Sequence, residues 1–165
     1  AMVHSSPAKA EIEGDCSKAV GTFLTKNDLD NNARAGTSRS LLVLTNGGHA
    51  LRFDSDQRAA AMDSRSFGDS AGTWRCDGVD NDETVRLTVS TLDFTYPDEE
   101  GYPGQIARID VTGTYTPTTE TMVLDGKLAF LPMDSDAQEA DALSKASSSI
   151  SVKFTGQRID LPKTP

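Results

Sequence analysis

Ala107-Arg108-Ile109-Asp110-Val111-Thr112-Gly113-Thr114-Tyr115 decides the fold class of this chain. Ala107, Ile109, Val111, Gly113 and Tyr115 fall on one side of an extended backbone, and Arg108, Asp110 and Thr112 fall on the other. A period of two with one apolar side is the pattern of a strand that buries one face and wets the other. The same alternation recurs at Ile150, Val152, Phe154 and Gly156 against Ser151, Lys153, Thr155 and Gln157.

Carried outward along the chain, this reading predicts strands near 21–25, 39–45, 49–55, 72–76, 84–96, 105–115, 121–131 and 149–159. The links are short where the turn residues are clearest. Asn46-Gly47-Gly48 supplies the positive φ angles of a tight hairpin, and Pro117-Thr118-Thr119-Glu120 separates the sixth and seventh strands. Short links between successive strands favour an up-and-down meander, so the expectation is an all-β, about eight-stranded antiparallel barrel. The fifth strand changes phase from Val85, Leu87 and Val89 to Leu92, Phe94 and Tyr96, which predicts a β-bulge near Ser90-Thr91. Ser135 to Ala146 is Ala-rich with acids early and Lys145 late, which predicts one short helix before the last strand. Residues 26–38 and 56–71 are polar and aperiodic and read as long loops.

The chain has 165 residues, a size that suits one domain. Residues 1–15 read as a flexible, tag-like leader, since Ala1 to Pro7 has neither a basic nor an apolar signal-peptide region, and 16–162 read as the barrel domain. The net charge is −9 with no run of Lys and Arg, which opposes binding to a phosphate backbone and excludes nucleic acid as the expected partner. No apolar stretch approaches the length of a membrane-spanning helix.

Cys16 and Cys76 are the only two cysteines. Each flanks a strand, and pairing would tie the N-terminal segment to the fourth strand, so a disulfide and an oxidising compartment, periplasmic or secreted, are expected. Two free thiols in a cytosolic protein are the alternative. With no histidine nearby the pair lacks the spacing of a metal site. The acidic stretch Asp77-Gly78-Val79-Asp80-Asn81-Asp82-Glu83 lacks the calcium-loop spacing and reads as a solvated hairpin link. No metal and no cofactor are expected, and no hydrolase, nucleotide-binding or zinc-protease signature is present.

Gly-Thr-aromatic appears three times, at Gly21-Thr22-Phe23, Gly72-Thr73-Trp74 and Gly113-Thr114-Tyr115. With the first of these at the start of the first strand and Arg158 near the end of the last, the chain resembles the lipocalin-like, or calycin, barrels. Those carry Gly-x-Trp on the first strand and a late arginine that packs over the ring; here Phe23 stands where the tryptophan would be, and the only tryptophan is Trp74. The chain is also similar to small exported bacterial proteins to which no function is assigned. The resemblance implies a small, partly apolar molecule held in the barrel mouth.

The residues themselves leave three functions open. His49 shares parity with Leu51 and Phe53 and is expected to point inward. Trp74, Phe94, Tyr96 and Tyr115 would line an apolar pocket, with Arg86 or Arg75 reading an anionic group, or else the aromatics are core and the arginines are solvated or paired with Asp93 and Asp110. A ligand-binding barrel would use that set. A cyclase or isomerase would add acid-base chemistry from His49 or an inward tyrosine. A protein-binding or inhibitor module would act through its long loops. Interior volume discriminates between them, because a filled barrel removes the first two.

Overall fold

The computed structural model describes residues 12–29, 38–55, 57 and 66–164. Residues 1–11 of the expected leader lie outside the described residues, as do 30–37, 56 and 58–65 from the two expected loops. Eight strands follow one another: β1 (Gly21–Leu29), β2 (Ser38–Leu44), β3 (His49–Asp54), β4 (Ser70–Val79), β5 (Val85–Phe94), β6 (Gln105–Thr116), β7 (Thr121–Pro132) and β8 (Ile150–Arg158). Each pairs antiparallel with the next, and β8 pairs back onto β1, with Phe23 opposite Arg158 and Leu29 opposite Val152. The result is the closed up-and-down barrel that the alternation predicts, in a form consistent with a lipocalin-like architecture.

Strand ends depart from the sequence reading where backbone pairing outweighs polarity. Lys26 to Leu29 and Ser70-Ala71, expected as loop, are paired in β1 and β4. No bulge interrupts β5: Thr91 and Asp93 continue the buried face of Val85, Leu87 and Val89, leaving Leu92 and Phe94 outside. The register shift lies instead in β4, between Cys76 and Gly78. The expected helix before β8 is absent. Residues 134–148 form successive turns, in which Glu139, Ala142 and Ala146 donate to the carbonyls three residues earlier. The Arg108 guanidinium packs onto these turns, donating to the carbonyls of Ala137 (2.7 Å) and Glu139, and the Glu139 carbonyl accepts from the Ala142 amide as well. Ala137 and Ala142 pack with Ile106 and Leu131 on the outside of β6 and β7. Among the described residues the one short helix is instead a 3-10 helix at Gly14–Ala19, before β1.

Connections alternate between the two ends. Those after β2, β4 and β6 are short hairpin links at one end, where the 3-10 helix also packs; those after β1, β3, β5 and β7 are longer and share the other. Cys16 and Cys76 are bonded, with their Cα atoms 5.9 Å apart. The bridge fastens the 3-10 helix to β4 across a separation of 60 residues.

Three glycines explain how a barrel this small closes. A Cβ on Gly72 would lie 1.9 Å from the Ser90 carbonyl oxygen, and one on Gly113 equally close to that of Val123. Backbones at these bends approach too closely for any side chain. Gly21, the third glycine of the repeat, has φ of 154° and makes room for Arg158, whose Nη1 would stand 2.1 Å from an added Cβ.

Candidate functional site

The barrel interior has two halves of different chemistry. Around the short-link end, Phe23, Leu44, Trp74, Val85, Leu87, Tyr115, Met122 and Leu124 are buried together as a dry core. Arg158 seals it. Its guanidinium lies 5.0 Å from the Phe23 ring centre and 4.9 Å from that of Tyr115, and it donates to the Tyr115 hydroxyl (3.0 Å), to the Val20 carbonyl (2.7 Å) and to the Lys18 carbonyl. A planar, always-charged group is the one side chain that stacks on two rings while capping a helix C-terminus. Phe23 thus serves where the resemblance leads one to expect tryptophan. Trp74 sits at the same end, its indole N–H donating to the Thr45 carbonyl at 2.8 Å.

Toward the long-connection end the interior turns polar. Arg52 Nη2 lies 3.2 Å from Asp54 Oδ2 and 3.4 Å from Asp93 Oδ2, and donates to Ser70 Oγ at 3.1 Å. Ser70 donates to Asp93 Oδ2 at 2.8 Å. Ser40 donates to Asp54, Asn27 donates to Ser40 (2.6 Å) and Ser38 (3.1 Å), and Thr25 donates to Asn27 (2.7 Å). The guanidinium also lies over the Phe154 ring, 5.4 Å from its centre. Among the described residues, two buried side-chain atoms are left without a hydrogen bond, Arg52 Nε and Asp93 Oδ1. Burial pushes the Asp93 carboxyl up to about 6, and the nearby Asp54 charge adds to the rise; Arg52 and Ser70 offset it only in part.

Between the two halves lies a cavity of about 10 Å³, bounded by Leu42, Arg52, Val89, Ile109, Leu124 and Phe154 among others. That volume is close to the limit for a single water molecule. The described interior is filled, by hydrocarbon below and by a hydrogen-bonded polar plug above.

The six residues expected from sequence to form a ligand site are not brought to one place. Trp74 and Tyr115 belong to the sealed core. His49 is exposed on the outer face, as are Leu51 and Phe53, because Ala50, Arg52 and Asp54 take the inside of β3. Arg86 is exposed and paired with Asp80 at 3.0 Å. Phe94 and Tyr96 are exposed at the long-connection end. The acidic link before β5 is consumed locally: Asp77 takes Arg75, Asp80 takes Arg86, and Asp82 accepts from the Thr84 amide. The interior charges that sequence reasoning passed over, Arg52, Asp54 and Asp93, had one signal. They keep strict alternation with Ala50 and Val89, a pattern legible without any bulge.

On the outer surface, β1 to β3 present Leu24, Leu41, Leu51 and Phe53, each between 36% and 40% exposed. The register makes them neighbours, with Leu24 opposite Leu41, Leu41 opposite Phe53, and Val43 opposite Leu51. A contiguous apolar surface of this kind is the usual mark of an interaction site.

Compared with known protein families, curated proteins and solved structures, the chain matches none. The fold and the site therefore stand on the geometry above.

Proposed function

We infer that this barrel is a non-catalytic protein-binding module that works outside the cytoplasm, in the periplasm or secreted, and makes its contacts from its outer surface and its open-end connections. The observation that carries this reading is the close packing of the described interior, where the cavity between the apolar core and the polar plug measures about 10 Å³. A fatty acid, sterol or isoprenoid needs a chamber of several hundred Å³. A cyclising intermediate needs the same room together with a positioned acid or base, and His49 lies outside the barrel. A binding surface needs neither. The apolar face of β1 to β3 supports the reading independently, since a monomer gains nothing by leaving it uncovered. The disulfide supports an oxidising location.

Native mass spectrometry of the purified protein tests it, joined to a thermal-shift panel of fatty acids, sterols and isoprenoids. The expected mass is that of the bare, disulfide-bonded chain, with no panel member raising the melting point. A stoichiometric co-purified small molecule, or a saturable rise in melting temperature, would return the small, partly apolar ligand to first place.

A further inference from the structure

We propose that this chain docks head to tail onto a second copy of itself, the acidic aromatic connection between β5 and β6 of one molecule seating on the apolar face of β1 to β3 of the next. The proposal names the partner for the outer-surface reading above and rests on it for the choice of surface.

The receiving face is basic as well as apolar. Lys26 stands opposite Arg39 at the edge of the Leu24–Leu41–Phe53 patch, and neither makes an ion pair among the described residues. The outward positions of β2 and β3 carry no acid: they hold Arg39, Leu41 and Val43, then His49, Leu51 and Phe53; on β1 the outward Asp28 follows Lys26 and stands opposite the exposed Lys153 of β8, so cations still outnumber acids here. In a chain of net charge −9 this local reversal of sign selects for an acidic partner.

Such a surface exists on the same chain. Phe94, Tyr96 and Tyr102 are each more than half exposed, and Asp98-Glu99-Glu100 lies among them in sequence. The connection is pre-shaped. Asp98 Oδ1 accepts from the amides of Glu100 (3.1 Å) and Tyr102 (3.0 Å), while the Thr95 amide donates to the Gln105 carbonyl and that of Tyr96 to the Ser66 carbonyl, each within 2.9 Å. A turn held in this way loses little conformational freedom on docking, which lowers the cost of association. Exposed aromatics beside carboxylates meet exposed leucines beside cations.

The topology sets the geometry of assembly. In a closed barrel ordered β1 to β8, β2 and β6 are four strands apart in either direction, so the two surfaces face opposite sides. One molecule cannot satisfy both surfaces of a single neighbour by two-fold symmetry. The contact is heterologous and builds short chains or a ring. Both patches are small, which places the contact among weak, concentration-dependent interfaces.

Sedimentation velocity over a wide range of concentration, with two variants, tests this. Leu41→Glu blocks the face and spares the acidic turn; Glu99→Lys with Glu100→Lys blocks the turn and spares the face. All of these positions are exposed, and unchanged melting temperatures establish that each variant folds. The wild type is expected to show a concentration-dependent series beyond the dimer. Raising ionic strength from about 0.01 M to about 1 M, which shortens the screening length from about 30 Å to about 3 Å, should weaken its association on the order of tenfold. Each variant alone should remain monomeric, and their equimolar mixture should form one heterodimer and nothing larger. A wild type that stays monomeric throughout, or a variant mixture that fails to pair, would overturn the proposal. The ligand panel above judges the outer-surface reading separately, so failure of self-docking alone leaves that reading intact.

Discussion

Replacing Asp93 by Asn tests whether burial or ion pairing governs the interior plug. Asp93 lies inside the barrel with its Oδ2 on Arg52 and Ser70 and its Oδ1 unpartnered, and its carboxyl is raised from 3.8 to about 6. A folded-state value above the unfolded one means that the native state holds the proton more tightly. The protonated form's contribution is therefore full below about pH 4 and is lost as pH rises through about 6. A rise of that size corresponds to about 3 kcal/mol of penalty on the ionised native state at neutral pH. Asn keeps an oxygen for Ser70 and Arg52 and removes the charge. Asp93→Asn is thus expected to be more stable than the parent at pH 7.5 by as much as about 3 kcal/mol, and by close to nothing at pH 4. For a domain of this size that is a rise of roughly 6–12 °C in melting temperature. Denaturant melts of both proteins from pH 4 to 8 read the difference directly. If the variant is less stable at pH 7.5 and equal at pH 4, attraction to Arg52 outweighs burial and the assignment fails.

Further outcomes follow from the sealed end and the bends. Arg158→Lys should lose about 2–4 kcal/mol in thermal melts, because an ammonium cannot stack on Phe23 and Tyr115 while donating to Tyr115, Val20 and Lys18; full retention would contradict that account. Thiol titration of denatured, unreduced protein should find no free cysteine, and Cys16→Ser with Cys76→Ser should cost about 4 kcal/mol for a closed loop of this separation, with added reductant lowering the parent's midpoint to match. Gly113→Ala should cost more than Gly156→Ala, since its methyl meets the Val123 backbone oxygen at 1.9 Å whereas that of Gly156 meets the Thr25 side chain at 3.2 Å. Equal midpoints for these two variants would show that the bend can open.

What the sequence determined by itself was local and periodic. Alternation at Ala107 to Tyr115 and Ile150 to Gly156 located strands, the Asn46-Gly47 pair located a hairpin, and the placement of Cys16 and Cys76 at strand ends pointed to the bridge. The strands and the hairpin are properties that neighbouring residues impose on one another, and the bridge, though it spans 60 residues, was legible because the chain has only two cysteines to pair. Which face of a strand turns inward is a different kind of question. In β3 the hydrophobic pattern put Leu51 and Phe53 inside, and the barrel puts Arg52 and Asp54 there, because Asp93 and Ser70 from β5 and β4 and Ser40 from β2 satisfy them. At Ser135 to Ala146 the structure has turns in place of the expected helix, and Arg108 on β6 donates to the carbonyls of Ala137 and Glu139, a contact that the local sequence does not show. The candidate ligand residues divide between the core, which holds Trp74 and Tyr115, and the surface, which holds His49, Arg86, Phe94 and Tyr96. Burying a charge is unfavourable until partners from distant strands are supplied, and only closure of the barrel supplies them.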